Sequence, residues 1–262
     1  MIVLESLTKR FADRLAVDAL DLEVAAGELL VLLGGSGSGK TTTLKMINRL
    51  VEPTSGTVYV DGEDTRTLDA HALRRRIGYC FQRLGLFPHM NVAQNVGVTP
   101  SLLGWDPARI RRRVDELLDL VELEPSRFRD RRPHELSGGQ QQRVGVARAL
   151  AAEPRIVLLD EPFGALDPVT RERLQDAFVR IRQQLSLTAV FVTHDMTEAL
   201  LLGDRIAVLG DGRLRQVGTP RELLERPADA SVAELMGTPR RQARAVEALL
   251  DPAGAVPARV ST

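Results

Sequence analysis

Short apolar runs alternate with helical periodicities along most of the chain. Leu29 to Leu33, Ile77 to Phe81, Ile156 to Leu159, Ala189 to Val192 and Ile206 to Leu209 are dominated by Val, Ile and Leu. Continuous apolar runs of this length suit strands covered on both faces, so the pattern predicts a largely parallel sheet wrapped by helices. The N-terminal portion differs. Ile2 to Leu4, Leu20 to Val24 and Thr57 to Val60 lie among turn residues without long helices between them, which predicts a smaller antiparallel sheet. No strand pattern occurs between about Leu84 and Pro154, where Ile110, Val114, Leu117, Leu118 and Val121 fall at helical spacing. An inserted helical subdomain is expected over about 84–154. Beyond about Arg240 the chain turns rich in Ala, Arg and Pro, with Val246, Leu249 and Leu250 as its last apolar cluster. One elaborated domain over 1–240 and a short tail over 241–262, part frayed helix and part loose end, are expected.

Composition narrows the function classes. Hydrophobic residues make up 44% and charged residues 27% of the 262 positions, too apolar on average for a disordered chain. Lys plus Arg (35) balance Asp plus Glu (35), so no excess positive field exists to hold nucleic acid or anionic lipid. Cys80 is the single cysteine, which excludes an internal disulfide, suits a reducing compartment and reads as a small apolar filler. The N-terminus lacks the build of a signal peptide. The apolar runs Leu29 to Leu33 and Ala199 to Leu202 fall far short of the roughly 20 residues that a bilayer span needs. Any membrane this protein serves is expected to be crossed by another chain.

The segment Gly34-Gly35-Ser36-Gly37-Ser38-Gly39-Lys40-Thr41 follows a strand pattern and leads into the helical pattern Thr42 to Leu50. It meets G-x-x-x-x-G-K-[ST] in the required strand and helix context. Glycines let the backbone curl so that successive N–H groups face phosphate oxygens, and the helix adds its positive N-terminal end. Lys40 is expected on the β- and γ-phosphates and Thr41 on Mg²⁺, with Thr42 beside them, so a nucleoside triphosphate is implied. Ile156-Val157-Leu158-Leu159-Asp160-Glu161-Pro162 ends a buried run with two carboxylates, at the strand edge where open α/β sheets take their ligands. Asp160 is expected to hold the Mg²⁺ through water. Glu161 is then free to polarise the attacking water, because phosphoryl transfer depends on an aligned nucleophile.

Leu136-Ser137-Gly138-Gly139-Gln140 precedes the helical pattern Gln141 to Ala152, a second glycine-bearing helix start with free N–H groups. A plain helix cap accounts for it equally well. At this point the sequence resembles the ATP-binding cassette family over roughly residues 1–240, with every family motif in order. The resemblance implies a RecA-like, mostly parallel P-loop core with an N-terminal antiparallel subdomain and a helical insertion. It implies that Ser137, Gly138, Gly139 and Gln140 reach across a dimer to the partner's γ-phosphate. Gln82 matches the glutamine that senses Mg²⁺ or water and leads to the surface meeting the membrane subunits. Asp167 matches the loop that crosses the dimer interface, and His194 the histidine that hydrogen-bonds the γ-phosphate. Phe11 stands where the family usually has a tyrosine stacked on adenine, and Phe keeps the stacking face; a core position is the other reading. Arg109 to Arg113, interleaved with Ile110, Val114, Asp115 and Glu116, reads as the solvated face of an amphipathic helix rather than an anion patch.

Within the family the sequence is most similar to ATPases of bacterial importers for glycine betaine, choline and carnitine. Ile47 to Gly56, Gly85 to Met90, Leu103 to Trp105 and Glu161 to Pro168 carry this likeness. The resemblance implies ATP and Mg²⁺ as cofactors and a second ATPase subunit, in a homodimer. It further implies membrane permease subunits, a solute-binding protein met indirectly, no nucleic acid, and a peripheral place on the cytoplasmic face of the membrane. Several such ATPases carry paired CBS domains after the cassette, for which the residues past Arg240 leave no room. A polar amino-acid importer would carry the same motifs and stays open. A soluble ABC ATPase acting on DNA or ribosomes usually has tandem cassettes or a coiled-coil insertion, and a P-loop kinase would have no use for Leu136 to Gln140 or His194. The cluster Leu84, Leu86, Phe87 and Met90 after Gln82 is expected to meet the permease.

Overall fold

A computed structural model describes residues 1–82 and 85–250. Its first sheet is built from β1 (Ile2–Phe11), β2 (Arg14–Val24), β4 (Ser55–Val60) and β5 (Glu63–Asp64), antiparallel in the order β2-β1-β4-β5. The second is built from β3 (Leu29–Leu33), β6 (Ile77–Cys80), β7 (Ile156–Asp160), β8 (Thr188–Thr193), β9 (Arg205–Gly210) and β10 (Arg213–Gly218). Its order is β10-β9-β3-β8-β7-β6, parallel except for the β9–β10 hairpin at one edge. The α/β architecture expected from the apolar runs is therefore present.

The parallel strands divide their side chains between two cores, as the two-residue period of a strand requires. Leu29, Val31 and Leu33 of β3, Val157 and Leu159 of β7, and Ala189 and Phe191 of β8 face one core. Leu30, Leu32, Ile156, Leu158, Val190 and Val192 face the other, where they meet Ile2 and Leu4 of the antiparallel sheet and Leu44, Met46 and Ile47 of α1 (Lys40–Ile47). After α2 (Ala70–Arg76) and β6, the described residues up to 154 contain helices and no strand: α3 (Val92–Leu102), α4 (Pro107–Leu120), α5 (Pro125–Phe128) and α6 (Gly138–Leu150). Asn91 and Gln94 cap α3 reciprocally, and Asp106 caps α4 immediately before Pro107, whose missing N–H costs nothing there.

On α4, Val114, Leu117 and Leu118 are buried and Arg109, Arg111 and Arg112 are exposed. Arg113 departs from the solvated face expected of this stretch, for it turns inward and donates to the Leu150 carbonyl at 3.1 Å. The remaining elements are α7 (Pro168–Leu185), α8 (Met196–Leu202), α9 (Pro220–Glu225) and α10 (Ala230–Leu250). α10 passes through Arg240, so the composition change there is not a break in secondary structure. The side chains of Val246, Leu249 and Leu250, and the loose end over 251–262, lie outside the described residues. Among the described residues no helix is long and apolar enough to cross a membrane.

Candidate nucleotide site

The glycine segment forms a loop between buried β3 and α1, at the carboxyl edge of the parallel sheet. Gly34 (φ +155°), Gly37 (φ +79°) and Gly39 (φ +100°) take backbone conformations that disfavour a side chain. Space forbids one as well: a Cβ on Gly34 would lie 2.2 Å from the Leu209 carbonyl oxygen, and one on Gly39 would lie 2.6 Å from that of Ala16. The helix begins at Lys40, two residues before the expected Thr42, because its first turn grows directly out of the loop. Lys40 is buried and curls back over the loop, donating through Nζ to Gly34 O at 2.8 Å, Gly35 O at 2.7 Å and Ser38 Oγ at 3.3 Å. Burial lowers its pKa, against the pull of the Glu161 and Asp160 carboxylates.

Asp160 is the last residue of β7 and is buried. Its Oδ1 accepts the Thr41 hydroxyl at 2.8 Å, which joins the first turn of α1 to the acidic strand end. Desolvation raises the Asp160 pKa despite that hydrogen bond and the nearby Lys45 and Lys40. Glu161 follows in the left-handed region at φ +49°, which turns its carboxylate out of the strand line. Its Oε1 lies 3.2 Å from Nδ1 of His194, just past the end of β8. Glu161 is partly covered, at 22% side-chain exposure, while His194 is open at 67%.

Phe11 ends β1 beside this loop and lines a cavity of about 360 Å³ with Arg14, Ala16 and the stretch Gly37 to Thr42. It is exposed rather than a core residue, with Lys9 Nζ 4.9 Å from its ring centroid. Phe11, the loop, Lys40, Thr41, Asp160, Glu161 and His194 thus gather at one edge of the sheet. Gln82 stands two residues past the end of β6, which stops at Cys80 and not at Phe81, and Gln82 is exposed. Cys80 is fully buried and its thiol is pushed up to about 12, which fits an apolar filler.

Ser137 caps α6, accepting from the Gln140 N–H at 3.3 Å while Gln140 Oε1 accepts from the Ser137 N–H at 3.0 Å. This cap lets Gly138 and Gly139 enter the helix, so α6 starts at Gly138 and not at Gln141. Ser137 and Gly138 are exposed, and these residues do not line the cavity at Phe11 and Lys40. Asp167 caps α7 by accepting from the Thr170 N–H at 3.0 Å, which holds its carboxyl below the usual range. In the segment after Gln82, Phe87 is exposed and Leu86 packs on the core, whereas Leu84 lies outside the described residues. Phe87 shares a cavity of about 410 Å³ with Leu50, Phe81 and Leu102.

Two buried polar residues escaped the sequence reading. Asn95, on α3, accepts from the Phe87 N–H at 2.8 Å and donates to the carbonyls of Phe87 and Met90 at 3.1 Å, fixing that loop. Gln142, on α6, bonds the backbone on either side of Pro162 to Gly164. Asn95 was visible as a polar residue inside the apolar spacing of Val92 and Val96, but nothing marked Gln142 among its glutamine neighbours.

A phosphate-type loop between a buried parallel strand and a helix, with carboxylates on the neighbouring strand, defines a P-loop α/β protein. Comparison with known proteins is more specific. The ABC transporter family model matches residues 17–164. The glycine betaine/carnitine/choline transport ATP-binding protein OpuCA of Bacillus subtilis is 52% identical over 241 residues, covering 92% of this chain and 63% of that protein. The glycine betaine uptake system ATP-binding protein YehX of Escherichia coli is 52% identical over 237 residues, covering 90% of this chain and 77% of that protein. A solved dimeric ATP-binding cassette in a post-hydrolysis state, bound to ADP and Pi, superposes with a TM-score of 0.79 at 37% identity over 84% of this chain and 99% of that one. The chain belongs to the ABC transporter family. It spans 63% to 64% of the length of the first osmoprotectant-transport relatives it matches.

Proposed function

We propose that this chain is the ATP-hydrolysing subunit of an ABC importer, working as a head-to-tail pair on the cytoplasmic face of the membrane beneath a partner permease. The observation that carries the reading is the single edge of sheet at which Lys40, the Thr41–Asp160 pair and the Glu161–His194 pair converge. Phe11 offers its ring face to the base, and the N–H groups of the loop with Lys40 cradle the phosphates. Thr41 and Asp160 supply hard oxygen donors 2.8 Å apart, and burial makes the Asp160 charge costly, which a bound cation would relieve, so the pair suits Mg²⁺. When bound there, Mg²⁺ would offset charge on the phosphate oxygens. Glu161 orients the attacking water and takes its proton, while His194 holds Glu161 and meets the γ-phosphate. Gln82 reports on that site to the following loop. Ser137, Gly138, Gly139 and Gln140 complete the site of the partner subunit, and Asp167 lies on the surface between subunits.

For the solute we propose a quaternary-ammonium osmoprotectant such as glycine betaine, choline or carnitine. The named transport roles of several relatives about half identical to this chain support this, and the solute itself would be held by a binding protein and passed through the permease. The test of the ATPase reading is Glu161→Gln, which keeps size and hydrogen bonding but removes the base. The variant is expected to bind ATP, form an ATP-dependent dimer in light scattering, and lose hydrolysis. Turnover at the wild-type rate would remove Glu161 from its role.

A further inference from the structure

Helix α6 carries Ser137 at its cap and Gln142 one turn further on. Gln142 is only 3% exposed and lies across the segment that follows β7. Its Nε2 donates to the Glu161 carbonyl at 2.7 Å, and its Oε1 accepts from the Ala165 N–H at 2.7 Å. A carboxamide has one donating and one accepting end, so these two backbone groups fix its orientation, and neither Glu nor Met can satisfy both. The start of the same helix rests on the same segment. A Cβ on Gly139 would lie 3.1 Å from Leu166 Cδ2 and 3.3 Å from the Ala165 carbonyl oxygen.

The segment so held contains Glu161, whose left-handed backbone persists only where its surroundings over-determine it. Its N–H donates to the Val192 carbonyl at 3.0 Å, and its own carbonyl accepts from the Gly164 N–H at 3.3 Å as well as from Gln142. The amide of Gln142 makes the shorter of these two bonds to the carbonyl. It ties the base of one nucleotide site to the helix whose start belongs to the other.

We infer that Gln142 is a positioning residue that couples the two nucleotide sites of the pair, holding Glu161 to the helix whose start closes on the partner's nucleotide. The inference rests on the paired-cassette reading above. As Ser137 and Gly139 close over the partner's phosphates, any shift of α6 is carried by a short, doubly bonded amide to the backbone of Glu161 in the same chain. Closure at one site thereby sets the base at the other.

The test compares the full wild-type chain with Gln142→Met, which keeps length and loses both hydrogen bonds, and Gln142→Glu, which keeps only the acceptor for Ala165. Thermal melting, Mg-ATP affinity and ATP-dependent hydrolysis are measured for each. Both variants are expected to fold and to bind Mg-ATP within about twofold of wild type, while kcat falls by about tenfold or more, because misplacing a reacting group by about 1 Å can cost about 100-fold. The Hill coefficient for ATP is expected to exceed one in the wild type and to fall toward one in the variants. Folded variants with wild-type kcat and Hill coefficient would overturn the coupling. So would a loss of affinity equal to the loss of kcat, or failure of both variants to fold, since Gln142 would then be a core residue alone. A wild-type chain that does not hydrolyse ATP would instead overturn the paired-cassette reading, and the coupling with it.

Discussion

Thr41 Oγ1 donates to Asp160 Oδ1 across 2.8 Å, joining residues 119 positions apart in the chain. The hydroxyl is the main hydrogen-bonding relief for a carboxylate that burial drives toward its neutral form. Because the folded-state pKa of Asp160 is raised, its contribution to stability is present below the ordinary carboxylate pKa and is lost as pH rises through the shifted value. At neutral pH the charge therefore opposes folding. Asp160→Asn keeps an acceptor for Thr41, so without nucleotide at pH 7 it is expected to melt higher than wild type, by about 2 °C for each 1 kcal/mol at least. The wild type is expected to melt higher with Mg-ATP, and the same variant should lose that shift. Calorimetric scans with and without Mg-ATP check both signs, and a lower melting point for the variant would contradict the first.

Ser137 is exposed at the start of α6, capping a helix whose first N–H groups point outward. Ser137→Arg is expected to leave the monomer folded and able to bind ATP, because the position is exposed and loss of the cap costs only about 1 kcal/mol. In the Glu161→Gln background it should block the ATP-dependent dimer if, as proposed, this helix start closes on the partner's phosphates. Light scattering that finds the same dimer with Arg present would remove the composite-site arrangement.

Phe87 stays exposed while Asn95 pins its backbone from both sides, so an apolar ring is presented on a fixed loop. A charge at this position should leave the loop and the nucleotide site intact but spoil an apolar docking contact. Phe87→Glu is expected to keep basal ATPase activity within about twofold and to abolish solute uptake in reconstituted vesicles. Unimpaired uptake would mean the permease docks elsewhere.

Cells lacking this gene are expected to fail to accumulate glycine betaine, choline or carnitine under salt stress. Radiolabelled uptake measures this directly. Normal uptake of all three would redirect the solute assignment and leave the ATPase reading standing.

The strands of the parallel sheet were legible because burial on both faces leaves nothing but apolar residues in Leu29 to Leu33 and Ile156 to Leu159. Strands with one solvated face were legible only in part, as in Leu20 to Val24 of β2 and Thr57 to Val60 of β4. β1 runs to Phe11 although only Ile2 to Leu4 read as strand, since irregular register between Leu4 and Arg10 breaks the alternation. β10 went unread because an edge strand with Arg213 and Arg215 looks like a loop. The loop, Asp160, Glu161 and His194 were readable from motif and strand context, and the structure brings them together. Gln142 could not be found that way: its partners are backbone groups, and a backbone carbonyl leaves no mark in a sequence.

Gly39 sits where the two sheets meet. A Cβ there would strike Ala16 O at 2.6 Å and Val17 Cγ2 at 3.2 Å on the antiparallel side, with Gly212 Cα of the β9–β10 turn at 3.6 Å. Any side chain at this position would act as a wedge, prising β2 away from the loop and carrying Phe11 outward with it. The width of the slot between ring and loop is thus gauged by a single hydrogen atom. An alanine there would strain the loop backbone next to Lys40 as well as press on β2, so on the reading proposed above both the phosphate and the base contacts would suffer.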